Sequence, residues 1–226
     1  MADSNIGGGG TDILVPESEL GKIDVVDLNF IVDGEEISGK EVAIGAPVTA
    51  VTTKVDGGNN VVYAGKAQKD STIVIKKSDD TSIVSLRNSL NEDVEVKTKK
   101  GTTVDFKVAE GKFRRSEFTA GKGRQKDTVE VGSSAKLINA EFDLKKGGDT
   151  FTLTGGATLK KTNTVDLGQG GKDVVTVGND VNAKGKAKLV IENMDDKDTL
   201  NYGGESYSLS DIQNGDADLP SFLELG

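Results

Sequence analysis

Four aspartates recur along the second half of the chain, and their spacing is that of a repeated turn or of a repeated metal ligand. They stand 22, 24 and 25 residues apart, and each is followed by Thr or Val, an alternating apolar run and a glycine. A turn carboxylate accepts hydrogen bonds from nearby backbone N–H groups, whereas Ca²⁺ takes about six to eight oxygen ligands from turns that face one another. The sequence leaves both roles open for Asp127, Asp149, Asp173 and Asp198.

The other chemistry that the residue types allow is narrow. The chain has no Cys and no His, which excludes a thiol nucleophile, a Ser-His-Asp triad and a Cys/His zinc site. The paired carboxylates Asp79-Asp80 and Asp195-Asp196 are groups that glycosidases use, but aromatic residues that would stack on sugars make up only 4% of the chain. The segment 121–124, GKGR, completes neither phosphate-loop motif. We therefore expect a protein that is not an enzyme.

The net charge of the chain argues against some classes of binding partner. A formal net charge of −9 argues against a general nucleic-acid or anionic-membrane binder. One stretch departs from this balance, because six basic residues lie within fifteen positions: Lys112, Arg114, Arg115, Lys122, Arg124 and Lys126. Two interpretations stay open, a solvated linker between two halves of the chain, or a patch whose arginines pair bidentately with carboxylates of an acidic protein neighbour.

Short runs of β-branched residues predict strands along the first half of the chain. Residues 23–32 read as a strand followed by the hairpin dipeptide Asp33-Gly34, and residues 50–64 read as a second hairpin. Four more strand candidates follow at 71–76, 82–86, 93–97 and 102–108. We expect an antiparallel β-rich domain over residues 23–110.

From about residue 116 the aspartate segments alternate with a second set of β-like runs. A fixed period of roughly 20–50 residues is typical of stacked repeat architectures. Each repeat holds short strands joined by Gly- and Asp-rich turns, which predicts a parallel β-helix or β-solenoid over residues 116–226. Asp70 and Asp93 resemble degenerate copies of the repeated aspartate. If they belong to the repeat, the coils begin at about residue 66. The predicted fold class is all-β.

The two ends of the chain are candidate contact segments. Residues 1–22, with four consecutive glycines, predict a flexible N-terminal arm that has neither the basic start nor the apolar run of a secretory signal. The apolar tail after Pro220 predicts a capping strand, a docking peptide or an uncleaved export signal. We expect partner contacts through both ends and through the arginines between them: Ile6, Ile13, Leu14, Val15, Arg114, Arg115, Arg124, Leu219, Phe222 and Leu223.

The aspartate segments resemble degenerate Gly-Asp repeats of the hemolysin-type (RTX) family. The resemblance is carried by GKGRQKDTVEV (121–131), KKGGDTFTL (145–153), GQGGKDVVTV (168–177) and the closing-type segment DDKDTLNYGGESYSLSDIQNG (195–215). In that family tandem nonapeptides hold Ca²⁺ between coils, although the period here is longer. The resemblance implies a solenoid and, as its one cofactor, Ca²⁺ bound by the four repeated aspartates.

Lys- and Gly-rich, His-free solenoid repeats are also similar in texture to proteins of marine cyanobacteria and their tailed phages. This resemblance implies a non-enzymatic virion protein at the capsid surface, which decorates or cements the shell through its N-terminal arm and strand edges. Because exposed sheet edges pair readily, we also expect a homo-oligomer or lattice, and no contact with nucleic acid or membrane. The alternatives are an exported, extracellular RTX-like calcium-binding module and a tail-associated carbohydrate-binding or depolymerising protein.

Overall fold

The chain folds into an all-β structure built on a parallel β-solenoid of about 5 turns over residues 72–202. This computed structural model describes residues 68–75, 82–86 and 90–226 and, for the earlier part of the chain, the backbone of the strands named below. The solenoid confirms the predicted all-β fold class. Each coil passes through three sheets, which we call faces 1, 2 and 3, and equivalent strands in successive coils pair in parallel.

The three faces are defined by their strands, and several long strands bend from one face onto the next. Face 1 consists of β8 (Thr52–Val55), β11 (Thr72–Ile75), β14 (Glu95–Thr98), β16 (Glu117–Thr119), β18 (Glu141–Asp143), the second halves of β20 (Thr158–Asp166) and β22 (Asn182–Glu192), and β25 (Leu223–Leu225). Face 2 consists of β9 (Asn60–Ala64), β12 (Ser82–Leu86), the first halves of β15 (Val104–Arg114) and β17 (Thr128–Ile138), β19 (Thr150–Leu153), β21 (Val174–Val177) and β23 (Thr199–Tyr202). Face 3 consists of β7 (Val48–Thr49), β10 (Gln68–Lys69), β13 (Asn91–Glu92) and the remaining halves of β15, β17, β20 and β22.

Antiparallel pairing is confined to the two ends of the described chain. Strand β6 (Lys40–Ile44) pairs in parallel with β9 and so belongs to face 2. The elements outside the three faces are β1 (Ala2–Ser4), β2 (Thr11–Val15), β3 (Asp24–Val26), β4 (Phe30–Val32), β5 (Glu35–Ile37), β24 (Glu205–Tyr207) and α1 (Leu209–Gln213). Strands β4 and β5 form the hairpin predicted at Asp33-Gly34. Strands β1 with β2, β2 with β8, β3 with β6 and β23 with β24 also pair antiparallel.

The parallel coils begin earlier in the chain than residue 116, and the solenoid over residues 72–202 agrees with the alternative start near residue 66. The predicted hairpin over residues 50–64 does not form, because β8 pairs with β2 and β11 while β9 pairs with β6 and β12. Both strands thus have their two edges occupied by other partners. A hairpin and a solenoid corner both place a Gly- and Asp-rich turn between two β-branched runs. The local sequence therefore does not distinguish them.

Alternating residues of each strand fill the interior of the solenoid. Strands β11, β14, β19 and β21 all show the same alternation of half-buried and buried positions. Phenylalanines gather in the middle coils, where the rings of Phe106 and Phe118 stack with centroids 4.7 Å apart and Phe142 contacts Phe151 edge to face at 5.1 Å. Fully burying one such side chain contributes about 1.5–3 kcal/mol. The interior is therefore partly aromatic, although aromatic residues are rare in the chain.

The corner between faces 3 and 1 turns through single residues in the left-handed backbone region. Asp70, Asp93, Arg115 and Asn139 have φ angles of 50°, 53°, 47° and 55° at this corner. Asp and Asn tolerate this conformation better than most residues because their short side chains bond locally. Asp70 and Asp93 are thus equivalent to each other, but they belong to a different corner from Asp127.

The C-terminal segment closes the last coil. Strand β25 adds to β22 in parallel, Leu223 is buried, and Leu219 and Phe222 pack partly buried against the core. Helix α1 begins at a capping box in which Ser208 and Asp211 satisfy each other's backbone N–H groups. Among the described residues, no helix is long and apolar enough to cross a membrane.

Candidate functional site

The four repeated aspartates lie at a single corner of the solenoid, where the loop from face 1 enters face 2. The residues that follow them, Thr128, Thr150, Val174 and Thr199, pair with one another along face 2 in successive coils. The aspartates therefore occupy the same position of each coil, and all four are buried, with 0–5% of their surface exposed.

Each aspartate accepts a hydrogen bond from the backbone of the preceding coil. The Oδ1 atom of Asp149 accepts from the N–H of Asp127 at 2.7 Å, and that of Asp173 accepts from the N–H of Asp149 at 2.6 Å. Asp198 accepts in the same way from Asp173 at 2.9 Å, and Asp127 accepts from Val104 at 2.8 Å. We call this chain of carboxylates and N–H groups the aspartate ladder. It joins successive coils at a corner where the strands themselves do not pair.

Burial changes the pKa of three carboxyl groups in the ladder. It raises the pKa of Asp127 to about 6 and the pKa of Asp149 and Asp173 to about 7, because desolvation penalises the charged carboxylate. The backbone N–H that each group accepts opposes this rise, and the neighbouring acids of the ladder add to it for Asp149 and Asp173. These carboxyl groups therefore exchange protons near neutral pH.

A second polar column, which the sequence pattern did not reveal, supports the corner between faces 3 and 1. The hydroxyl of Ser116 accepts from the N–H of Val94 at 3.0 Å, and the amide oxygen of Asn163 accepts from the N–H of Ala140 at 3.0 Å. Both side chains are buried. The column escapes detection because it changes residue type from coil to coil.

The loops that lead into the ladder stack directly on one another through glycine. A Cβ atom at Gly171 would lie 1.4 Å from the carbonyl oxygen of Gly147, and one at Gly168 would lie 1.7 Å from that of Lys145. Both glycines also have positive φ angles, 133° and 75°. Only glycine meets both requirements, so the glycines of these loops serve close stacking of the backbone.

The same loops carry a concentration of positive charge, which we call the basic corner. It comprises residues 99–101, 121–126, 145–148 and 168–172, which contain eight Lys and Arg residues and no Asp or Glu. Seven of the basic side chains are exposed, and within the described part of the chain none of these seven forms an ion pair: Lys99, Lys100, Lys122, Arg124, Lys126, Lys146 and Lys172. The eighth, Lys145, pairs with Asp143.

Two adjoining grooves run between these side chains. The larger has a volume of about 750 Å³ and the smaller about 590 Å³, and Arg124, Lys146 and Gln169 line both. The smaller groove has no acidic lining residue, whereas Asp143 and Asp166 are among the residues that line the larger one. Asp166 accepts hydrogen bonds from Gly168 and Asn193, so it is occupied within the chain. The arrangement suits an anionic partner.

Face 3 carries further exposed lysines, but they are not arranged around a groove of the basic corner. Lys136 on β17, Lys160 on β20 and Lys184 on β22 are exposed, and Lys160 stands next to Lys184 in the register of the sheet. They provide lysines of equal charge for comparison with those of the basic corner.

The structure separates the arginines that the sequence groups together. Arg115 lies at the corner between faces 3 and 1, where it bonds Asp93 at 2.7 Å and Glu92 at 2.5 Å and lowers the pKa of Asp93. Arg114 also approaches Glu92, at 3.4 Å. Arg124 alone joins the basic corner. The residues of the predicted patch therefore lie at different corners, and Arg114 and Arg115 form ion pairs with carboxylates of their own chain.

The apolar residues predicted to contact a partner have different surroundings. Leu219, Phe222 and Leu223 pack against the core of their own chain. The backbone of Ile13 and Leu14 pairs with β8, and Val15 pairs with β1. Ile6 lies outside the described residues.

Within the described part of the chain, the candidate metal and catalytic acids form no common cluster. Among the described residues, no group of three or more acidic side chains is arranged to hold a metal ion. The ladder places one carboxylate in each coil and directs it to a backbone N–H. Asp195 accepts from the N–H of Lys197, Asp196 is exposed, and Asp79-Asp80 lies outside the described residues.

Comparisons of the chain with known protein families, curated proteins and solved structures found no match.

Replacing a ladder aspartate tests its role between coils. In Asp149→Ala the buried N–H of Asp127 loses its acceptor, and we expect a loss of about 1–3 kcal/mol in the free energy of unfolding. Asp149→Asn keeps an acceptor oxygen, as Asn163 does at the other corner, and should lose less. Denaturant unfolding measures both, with the exposed Asp196→Ala as control. Equal stability of Asp149→Ala and the control would contradict this role.

The ladder predicts that stability falls as the pH rises. The folded protein holds protons on Asp127, Asp149 and Asp173 up to about pH 6–7, whereas the unfolded chain releases them near the ordinary value of 3.8. The stabilisation is therefore complete below about pH 4 and disappears as the pH rises to about 7. We expect the Tm to fall by at least about 3 °C between pH 5 and pH 8. A double variant with Asp149→Asn and Asp173→Asn should show a smaller fall, and an unchanged fall would refute the assignment.

The ladder also predicts a fold that does not need calcium. Because the carboxylates are buried and already accept backbone N–H groups, chelation should leave the circular dichroism spectrum and the Tm unchanged. Titration with Ca²⁺ after chelation should add no β structure. A spectrum that becomes folded only as Ca²⁺ rises would contradict this expectation and favour the calcium-binding alternative.

Proposed function

We propose that the protein is a non-enzymatic structural protein that binds an acidic protein surface through the basic corner. The observation that carries this proposal is the set of seven exposed cations, held on four successive loops without an ion-pair partner among the described residues. Neighbouring coils are about 4.8 Å apart, so like charges are held close together. Such an arrangement costs electrostatic energy in the free protein, and an acidic partner relieves it.

A protein surface suits this site better than a nucleic acid. Single strands bind by stacking bases on aromatic side chains, and neither groove is lined by an aromatic residue. The net charge of −9 repels a long polyanion at distances beyond the corner itself. Carboxylates on a protein can engage the corner locally, because such contacts act within the screening length of about 8–10 Å.

The setting that we propose is a phage virion, where the protein decorates or cements the capsid surface. A β-solenoid is a rigid spacer, since each coil is hydrogen-bonded to the next. The buried aspartates have structural partners, which favours a scaffold over a catalyst. The N-terminal arm and the strand edges remain the proposed contacts with the shell, and the basic corner provides a separate, charged contact with an acidic protein neighbour.

Binding of an acidic polypeptide tests the proposal. We expect labelled poly-L-glutamate to bind the protein at about 50 mM salt and to dissociate as salt rises. The double variant Lys122→Glu/Lys146→Glu should weaken binding at least about tenfold, because a like charge replaces an attractive one. Fluorescence anisotropy measures the Kd.

Two comparisons make this result specific. The control Lys136→Glu/Lys184→Glu changes the net charge equally on face 3 and should weaken binding less. Double-stranded DNA should bind less tightly than poly-L-glutamate. Equal losses in both double variants, or tighter corner-dependent binding of DNA, would overturn the proposal.

A further inference from the structure

Face 1 presents an acidic surface beside the basic corner. Two columns of acidic residues run along it from coil to coil, one formed by Glu95, Glu117 and Glu141 and the other by Asp143, Asp166 and Glu192. Each column follows the register of the parallel sheet. Lys97 and Lys145 each neutralise one acid within the chain, Glu95 and Asp143 respectively.

The acids of face 1 repel one another. The side chain of Glu141 lies near four other carboxylates, and its pKa is raised by burial and by their charges: Glu117, Asp143, Glu192 and Asp166. Cations that approach these carboxylates reduce the repulsion between them and so stabilise the surface. The exposed Lys and Arg side chains of the basic corner are candidates for this role, because they lack ion-pair partners in the described chain.

The acidic and basic rows have the same repeat along the solenoid. In each of the four coils that form the basic corner, face 1 carries at least one acid and the loop at least one cation, because face 1 and the basic corner are consecutive parts of each coil. For example, Glu117 on β16 leads into the loop that carries Lys122, and Glu141 on β18 leads into the loop that carries Lys146. Two rows with a common spacing of about 4.8 Å can match charge for charge when they face each other.

We propose that the acidic partner of the basic corner is face 1 of a second copy of this chain. The rows are adjacent, so a twofold axis parallel to the solenoid and running between them places each basic corner on the acidic face of the other copy. Both contacts form at once, which gives a closed dimer with the two solenoids side by side. The inference rests on the proposed function and names the partner of its basic corner.

The dimer is tested by exchanging charges on the two rows of the full-length chain. We expect the wild-type protein to dimerise in a concentration series at about 50 mM salt and to dissociate at about 500 mM salt. Lys122→Glu/Lys146→Glu reverses the corner, and Glu117→Lys/Glu141→Lys reverses the face. Each should weaken dimerisation at least about tenfold, because both contacts of its homodimer become repulsive. Sedimentation velocity measures the masses, and circular dichroism verifies folding.

Mixing the two charge-reversed variants gives the decisive comparison. In the mixed dimer the unchanged corner of one variant meets the unchanged face of the other, and the reversed surfaces also attract. We therefore expect an equimolar mixture to restore the dimer, while Lys136→Glu/Lys184→Glu remains dimeric. If the wild type is monomeric at every concentration, or if the mixture fails to dimerise, the inference is overturned.

The outcome is separable from that of the proposed function. Corner-dependent binding of poly-L-glutamate by a protein that stays monomeric would keep the proposed function and overturn self-association. Dimerisation that survives reversal of either row alone would overturn the inference as well, since another surface would then form the interface.

Discussion

The structure depends on a hydrogen bond between a buried carboxylate and the backbone of the preceding coil. Strand pairing joins coils along the three faces, and at the corners a buried N–H without an acceptor costs about 1–3 kcal/mol. At the corner before face 2 the ladder of Asp127, Asp149, Asp173 and Asp198 supplies that acceptor. This bond holds the loops in register together with backbone bonds between them, such as that from the N–H of Gln169 to the carbonyl oxygen of Lys145 at 2.9 Å.

The basic corner is a consequence of that stacking. With the loop backbones held in contact by the ladder and by glycine, their lysines and Arg124 are displayed in consecutive coils. Two unit charges about 4 Å apart in water repel by about 1 kcal/mol, so the packing of the coils must offset the cost of this arrangement. The same register that aligns the cations aligns the acids of face 1, and the two surfaces therefore share one repeat.

Parts of this architecture could be predicted from the sequence because they repeat in residue type. The aspartates recur with near-constant spacing, which indicates coils and one equivalent corner, and the structure agrees. The Asn163 and Ser116 column could not be found in this way, because different side chains supply the same acceptor. Nor does the sequence show that Arg115 turns to Asp93 while Arg124 joins lysines of other coils, since contacts between coils depend on the register. The start of the coils was obscured because solenoid corners and hairpins share the same turn residues.

The most direct test of the account is a solution measurement of the ladder itself. Scalar couplings across hydrogen bonds, detected by NMR between a backbone ¹⁵N and a side-chain ¹³Cγ, report each bond individually. We expect couplings from the nitrogen of Asp127 to the carboxyl carbon of Asp149 and from the nitrogen of Asp149 to the carboxyl carbon of Asp173. Absence of both couplings, with carboxyl carbons that titrate as in an exposed aspartate near pH 4, would contradict it.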